Sequence, residues 1–203
     1  MSILTYIAIA VAAYLIGSIS PSLIISKYIM KKDVRQYGSG NAGTTNMVRN
    51  FGWKLGVCTF ALDILKGAMA GLLGRHFGGE LGAAIAIVCA VLGHSYPLYY
   101  GFRGGKGVAT SMGAMLGLFP LHSLVIYVIC FAIVAVTGIV SIGSLCGFLL
   151  YTLMVWLVLP GLVGLPLKIA IAILTVLTFI GHRGNIKRLL NGTENKLFAK
   201  KNK

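Results

Sequence analysis

Apolar residues run along this chain in blocks far longer than one face of an amphipathic helix, and polar residues are confined to the gaps between the blocks. A helix crossing a hydrocarbon layer about 30 Å thick needs ~20 mostly apolar residues. Residues 3–25, 54–73 and 81–100 meet that length. The block 108–180 is almost continuously apolar and too long for one helix. Proline and glycine punctuate it at Pro120-Leu121-His122, at Thr137-Gly138 and from Pro160 to Pro166, and such residues mark breaks. They divide it into 108–119, 123–136, 139–159 and 167–180, of which the first two are short. The pattern predicts an all-α integral membrane protein, one domain over residues 1–203, with about seven transmembrane helices. Five spans, with 108–136 folded back as a re-entrant hairpin, are the alternative.

Composition narrows the class further. Residues of the set AVILMFWYC make up 57% of the chain, charged residues 11%, and the mean hydropathy is +0.88. A soluble domain carries about 25% charged residues to cover its surface. A soluble enzyme, a disordered chain and a soluble nucleic-acid binder are therefore excluded. Eighteen Lys and Arg oppose four acids, for a net charge of +14. In a membrane chain that excess reports orientation, because cytoplasmic loops collect cations. With the N-terminus outside, the segments after spans one, three and seven carry 15 cations, including Lys200, Lys201 and Lys203 near the C-terminus. Arg75 and Lys168 fall outside, and Lys66 lies within a span. The C-terminus is then cytoplasmic, on either span count, and the expected location is a bacterial inner (cytoplasmic) membrane. The first apolar segment has no basic residue before it, so a retained helix is expected rather than a cleaved leader.

Cys58, Cys89, Cys130 and Cys146 are far apart in apolar stretches. They read as small buried hydrophobes, and neither a metal nor a cofactor is expected. Glycine is abundant at 27 residues, with Gly-x-x-x-Gly at Gly52/Gly56, Gly67/Gly71, Gly113/Gly117 and Gly143/Gly147. That spacing lets helix backbones approach closely.

The polar residues fall in three islands, all on the predicted cytoplasmic side. The first is Tyr37-Gly38-Ser39-Gly40-Asn41-Ala42-Gly43-Thr44-Thr45-Asn46-Met47-Val48-Arg49-Asn50. Its glycines permit a nest of N–H groups around an anion, and Arg49 offers a bidentate phosphate fork. It is not a P-loop, since Thr44 stands where that motif requires Lys. The second runs from His94-Ser95-Tyr96-Pro97 into Phe102-Arg103-Gly104-Gly105-Lys106-Gly107-Val108-Ala109-Thr110-Ser111. It places N–H groups and Lys106 at the start of an apolar helix, a natural phosphate site. The third is Gly181-His182-Arg183-Gly184-Asn185-Ile186-Lys187-Arg188-Leu189-Leu190-Asn191-Gly192-Thr193-Glu194. Here His182 and Asn185 share a helix face and Glu194 is a partner for a nearby cation. Each island also has a plainer reading: a flexible linker, a positive-inside anchor and a headgroup-binding helix respectively. Inside the second span, Asp63 and Lys66 are spaced i, i+3 and are expected to pair, supporting the site.

Taken together, Gly38–Arg49, Asp63–Gly67, Gly93–Thr110 and His182–Glu194 resemble the bacterial acyl-phosphate:glycerol-3-phosphate acyltransferase (PlsY) family over nearly the whole chain. Where that family usually reads Gly-Asn-Pro-Gly-Ala-Thr-Asn, this chain has Ala42 and Thr44 in place of the Pro and the Ala. The resemblance implies a membrane enzyme that moves a fatty acyl group from acyl phosphate to the 1-hydroxyl of sn-glycerol 3-phosphate. The products would be lysophosphatidic acid and phosphate. It implies that Ser39, Arg49, Lys106, His182 and Asn185 act in catalysis. The expected substrate-binding set is Gly38, Gly40, Asn41, Gly43, Thr44, Thr45, Asn46, His94, Gly104, Gly105, Gly107, Thr110, Ser111 and Glu194. Expected partners are these substrates and membrane lipids, with a soluble acyl-phosphate-producing enzyme as a candidate to dock on the basic face. No nucleic acid is expected. A transporter of organic phosphates and a non-catalytic lipid-binding scaffold are the competing classes. The first lacks an anion site on the outer side, and for the second the glycine loops are surplus.

Overall fold

The computed structural model describes residues 1–197; Lys200, Lys201 and Lys203 of the cation tally lie outside the described residues. The described chain is all helical: α1 (Ile3–Ser18), α2 (Pro21–Ile24), α3 (Thr44–Phe51), α4 (Trp53–Ser95), α5 (Val108–Leu118), α6 (Pro120–Thr137), α7 (Val140–Leu153), α8 (Leu165–Gly181) and α9 (Arg183–Leu190). Four stretches are long and apolar enough to cross a membrane: Ile3–Ile29, Trp53–Tyr100, Pro120–Thr137 and Val140–Val158. Leu165–Gly181 with Arg183–Leu190, bent by 60°, makes a fifth. The protein is thus a multi-pass helical membrane protein.

Local chemistry sets the helix ends. Ser2 caps α1, its Oγ accepting from Thr5 N–H at 3.3 Å. Pro120 was expected inside a break, but it opens α6 at a first-turn position, where its missing N–H costs nothing. The short 123–136 segment thereby lengthens to an 18-residue helix. The expected span 108–119 does not reach a spanning length: α5 has 11 residues, a rise of about 16 Å. The expected span 3–25 is interrupted after Ser18. Pro21 lies four residues beyond Gly17 and has no N–H to give the Gly17 carbonyl, so the helix stops and restarts at Pro21.

The 43 residues of α4 are two antiparallel arms. Gly79 takes φ 60°, ψ −150°, a conformation open essentially only to glycine, and there the chain reverses. A side chain at Gly74 would collide with Gly82 and Ala86 of the other arm. Helix α5 crosses the first arm just as closely: a methyl on Gly67 would strike the Thr110 carbonyl, and one on Gly113 the Ile64 carbonyl. The expected packing role of Gly67/Gly71 and Gly113/Gly117 is therefore met. Gly52 differs, being a positive-φ turn between α3 and α4 with open space around it. The cysteines depart from expectation too: Cys58 is exposed and the other three are half-buried, all as free thiols.

These close crossings fix the depth of the site. Lys66 faces His94 across the hairpin, thirteen residues from Trp53, so the second arm ends about 20 Å short of the tip of the first. Helix α5 begins at a similar level, since Thr110 meets Gly67. The second island is thus recessed, with the first and third islands packed around it.

Candidate active site

The three islands meet. The Ala42 N–H donates to the Gly104 carbonyl at 3.4 Å, and the Arg35 guanidinium donates to the carbonyls of Tyr100 at 2.8 Å and Arg103 at 3.2 Å. Asp33 orients that arginine through three contacts, and the bonded guanidinium holds its carboxyl well below the usual range. Arg49 joins the first island to the chain after α9, donating from Nη2 to the Asn195 carbonyl at 2.8 Å. Lys106 joins the second to the third through Asn185 Oδ1.

Glu194 anchors the third island. Its side chain is 3% exposed and accepts from Asn185 Nδ2 at 2.5 Å, Arg188 Nε at 2.7 Å and Ser141 Oγ at 3.2 Å. Its expected pairing with a cation is thereby realised on Arg188, and its carboxylate faces the structure rather than an anionic ligand. Burial pushes the Lys106 ammonium down to about 8, with Arg188 and Arg49 adding to the shift and Glu194 opposing it. His182 is buried, and its Nδ1 lies 2.8 Å from the Thr178 carbonyl. A carbonyl only accepts, so Nδ1 carries the proton and Nε2 keeps the ring's lone pair.

Beneath these groups lies a buried triad. Lys66 Nζ is 2.8 Å from Asp63 Oδ1 and donates to the carbonyls of Gly17 at 3.1 Å and Ile19 at 2.6 Å. His94 Nδ1 completes the cluster, 3.0 Å from Lys66 Nζ and 3.2 Å from Asp63 Oδ1. The expected Asp63–Lys66 pair is present. His94, expected at the substrate, has one ring nitrogen committed to this pair and the other beside Gly105.

A cavity of about 380 Å³ opens at the junction. Ser39, Asn41, Gly43, Thr44, Thr45, Arg49, Lys106, Gly107, Ser111, His182, Asn185 and Glu194 line it, as do Asn46, His94 and Asp63. Thr44 Oγ1, Arg49 Nε and Ser111 Oγ are buried there without a protein partner. The first turns of α3 and α5 add free N–H groups, as any helix start does.

Five expected ligand groups are placed otherwise. Gly38, Gly40, Gly104, Gly105 and Thr110 do not line the cavity. The N–H groups of Gly104 and Gly105 are used by the carbonyls of Ser95 and His94, and that of Gly40 by Tyr37. Thr110 is fully buried against Gly67. Asn46 touches the cavity wall, but its amide is saturated. It donates to the carbonyls of Val34, Tyr37 and Asn41, each at 3.0 Å, and accepts from Ser39 N–H at 3.1 Å and Asn50 Nδ2 at 2.9 Å. The first island is a loop tied around Asn46, and its free donors lie at the start of α3 rather than in a nest at Ser39-Gly40. Ser141, Arg188, Asn50 and Asn195 escaped the sequence reading as site-building residues. Asn50 and Arg188 lie within the polar islands without a role assigned there, and Ser141 is a hydroxyl beside a break in an apolar run.

Known proteins were compared with this chain. The family model described as Glycerol-3-phosphate acyltransferase matches residues 7–192. The glycerol-3-phosphate acyltransferase of Clostridioides difficile (strain 630) is 44% identical, over 99% of this chain and 100% of its own length. That of Thermoanaerobacter pseudethanolicus is also 44% identical, over 94% and 95% respectively. The crystal structure of PlsY (YgiH), an integral membrane glycerol 3-phosphate acyltransferase, superposes in its glycerol 3-phosphate form with a TM-score of 0.89 at 33% identity, covering 96% of each chain. Its lysophosphatidic acid form gives 0.85, covering 94% of each. With the model match spanning nearly the whole chain and relatives this similar along their full length, the chain belongs to the glycerol-3-phosphate acyltransferase family.

Proposed function

We propose that this protein transfers a fatty acyl group from acyl phosphate to the 1-hydroxyl of sn-glycerol 3-phosphate, releasing lysophosphatidic acid and inorganic phosphate. The observation that carries the reading is the meeting of three cation-bearing loops at the mouth of a cavity whose deeper walls are apolar. Both substrates bring a phosphate and one brings a long chain, so a single site must offer cations, N–H donors and an apolar cleft together.

Arg49 and Lys106 would hold the phosphate of glycerol 3-phosphate, with His182 and Asn185 orienting it. Ser39 and the free N–H groups of Thr44 and Thr45 would receive the acyl phosphate. The glycerol oxygen bonds to the acyl carbon, the bond from that carbon to the phosphate oxygen breaks, and phosphate departs carrying the hydroxyl proton. A mixed anhydride is already activated, so no enzyme nucleophile is needed. Positioning and fixed cations at the developing oxyanion supply the rate, and a substrate phosphate oxygen serves as base. The chain is read as crossing a bacterial cytoplasmic membrane seven times, N-terminus outside, with the site facing the cytoplasm. The two arms of α4 supply two of those passages, and the 11-residue α5 would be a partial one, completed by the chain around it. The basic inner face would then receive a soluble acyl-phosphate-producing enzyme.

The test is direct. Purified protein in lipid receives glycerol 3-phosphate with palmitoyl phosphate or, in parallel, palmitoyl-CoA. Lysophosphatidic acid from the acyl phosphate alone is expected; product only from the CoA ester would overturn the donor assignment. A pH profile adds a second check. Lys106 loses its proton above about 8, so kcat/KM for glycerol 3-phosphate is expected to hold level below that pH and fall above it. Lys106→Arg should move the fall upward. An unmoved alkaline limb would assign it to another group.

A further inference from the structure

Past its polar mouth the cavity continues between α4, α5, α6, α7 and α8 as an apolar cleft, walled by Phe60, Met112, Cys130, Phe148 and Leu174 among others. Along α7, Ser141 lines the mouth and Tyr151 the deep end, about 15 Å apart at 1.5 Å per residue. There the cleft closes. Tyr127 is 9% exposed and Tyr151 is 4% exposed, and each ring is fixed through its hydroxyl. Tyr127 donates to the Met112 carbonyl, and the Tyr151 hydroxyl lies 3.0 Å from Ser123 Oγ. These bonds fasten α5, α6 and α7 together at that level and leave neither hydroxyl free to meet an apolar ligand. The buried side chains of Leu118, Val155 and Leu167 belong to the same core, so the cleft has no room to deepen.

The side wall is weaker. Between α4 and α6, Phe60 and Phe131 meet edge to face at 6.4 Å, and Val57 and Phe131 are exposed. A chain too long for the cleft therefore has one other course, sideways into the bilayer.

Resting on the acyl-transfer reading above, we propose that the rings of Tyr127 and Tyr151 are the stop of a chain-length ruler that sets which acyl donors this enzyme prefers. An extended chain advances about 1.25 Å per methylene, from ordinary C–C bond lengths and angles. Roughly twelve methylenes therefore lie between mouth and floor. Each methylene that enters the cleft leaves water or a polar headgroup layer and favours the complex; each one beyond the floor must bend or leave by the side.

The experiment is a competition. An equimolar mixture of saturated acyl phosphates from 10 to 18 carbons is supplied with glycerol 3-phosphate to the full-length protein in lipid, and the lysophosphatidic acids are counted by mass spectrometry. Comparison with the native protein cancels differences in partitioning among donors. Tyr127→Ala is expected to raise the ratio of 18-carbon to 12-carbon product at least about tenfold, because the floor recedes by the depth of a ring. Cys130→Phe fills the middle of the cleft and is expected to shift the ratio as far the other way, which keeps the test decisive if Tyr127→Ala does not fold. Tyr127→Phe keeps the ring and is expected to leave the distribution unchanged. An unaltered distribution in Tyr127→Ala and Cys130→Phe alike overturns the ruler and sends the chain out through the side. A native protein that makes product from no acyl phosphate overturns the donor reading itself, and the ruler with it.

Discussion

Replacing Lys106 with alanine is expected to lower kcat/KM for glycerol 3-phosphate about a hundredfold, the size of effect seen when one donor is removed from a preorganised, water-poor anion site. The side chain is half-buried, so its charge acts through less solvent than a surface lysine would. It also bonds Asn185, which in turn bonds Glu194. Its removal therefore takes away both the cation proposed to hold phosphate and the clamp between the second and third islands. Steady-state assays with acyl phosphate, alongside a melting curve in detergent, separate loss of function from loss of fold. Lys106→Arg, which keeps the charge, should recover much of the activity. Native turnover in the alanine variant would remove Lys106 from the site.

The largest expected effect on stability is at Asp63. Asp63→Ala leaves the Lys66 ammonium in the protein interior with two carbonyls and no counter-charge. Breaking a buried pair from one side costs about 3–5 kcal/mol. For a chain of this size that corresponds to a fall in melting temperature on the order of 10 °C. Replacing both partners, Asp63→Leu with Lys66→Met, should restore a good part of the loss, since it is the orphaned charge that destabilises. A native melting temperature in Asp63→Ala would show that the carbonyls of Gly17 and Ile19 suffice for the lysine. The chain prepares those acceptors itself: Pro21 cannot donate to Gly17, and the interruption of the first apolar segment is what lets Lys66 sit where it does. A proline inside what the pattern predicts as one continuous span is part of how a charge is accommodated in the bundle.

The glycines illustrate the other side of reading a chain by pattern. Gly67 and Gly113 fall on a packing spacing, and they do bring α4 and α5 into backbone contact. Gly104 and Gly105 sit beside Lys106 as a phosphate loop would, yet their N–H groups fasten the loop to the end of α4. Composition around a cation shows that a loop is special; it does not show which N–H groups remain free after the loop has folded.

From the amino-acid order alone came the membrane class, the positions of the main apolar helices, the three polar islands and the Asp63–Lys66 pair. All of these depend on local runs and short spacings, which hydrophobicity and helix geometry translate directly. Tertiary structure alone decided that α5 is too short to span, that Asn46 is the knot of its loop, and that Ser141 and Arg188 hold Glu194. It also decided that the cleft ends at Tyr127 and Tyr151. Each of these rests on a contact between segments far apart in the chain, and a hydrogen-bond donor is free or occupied only once its distant partner has arrived.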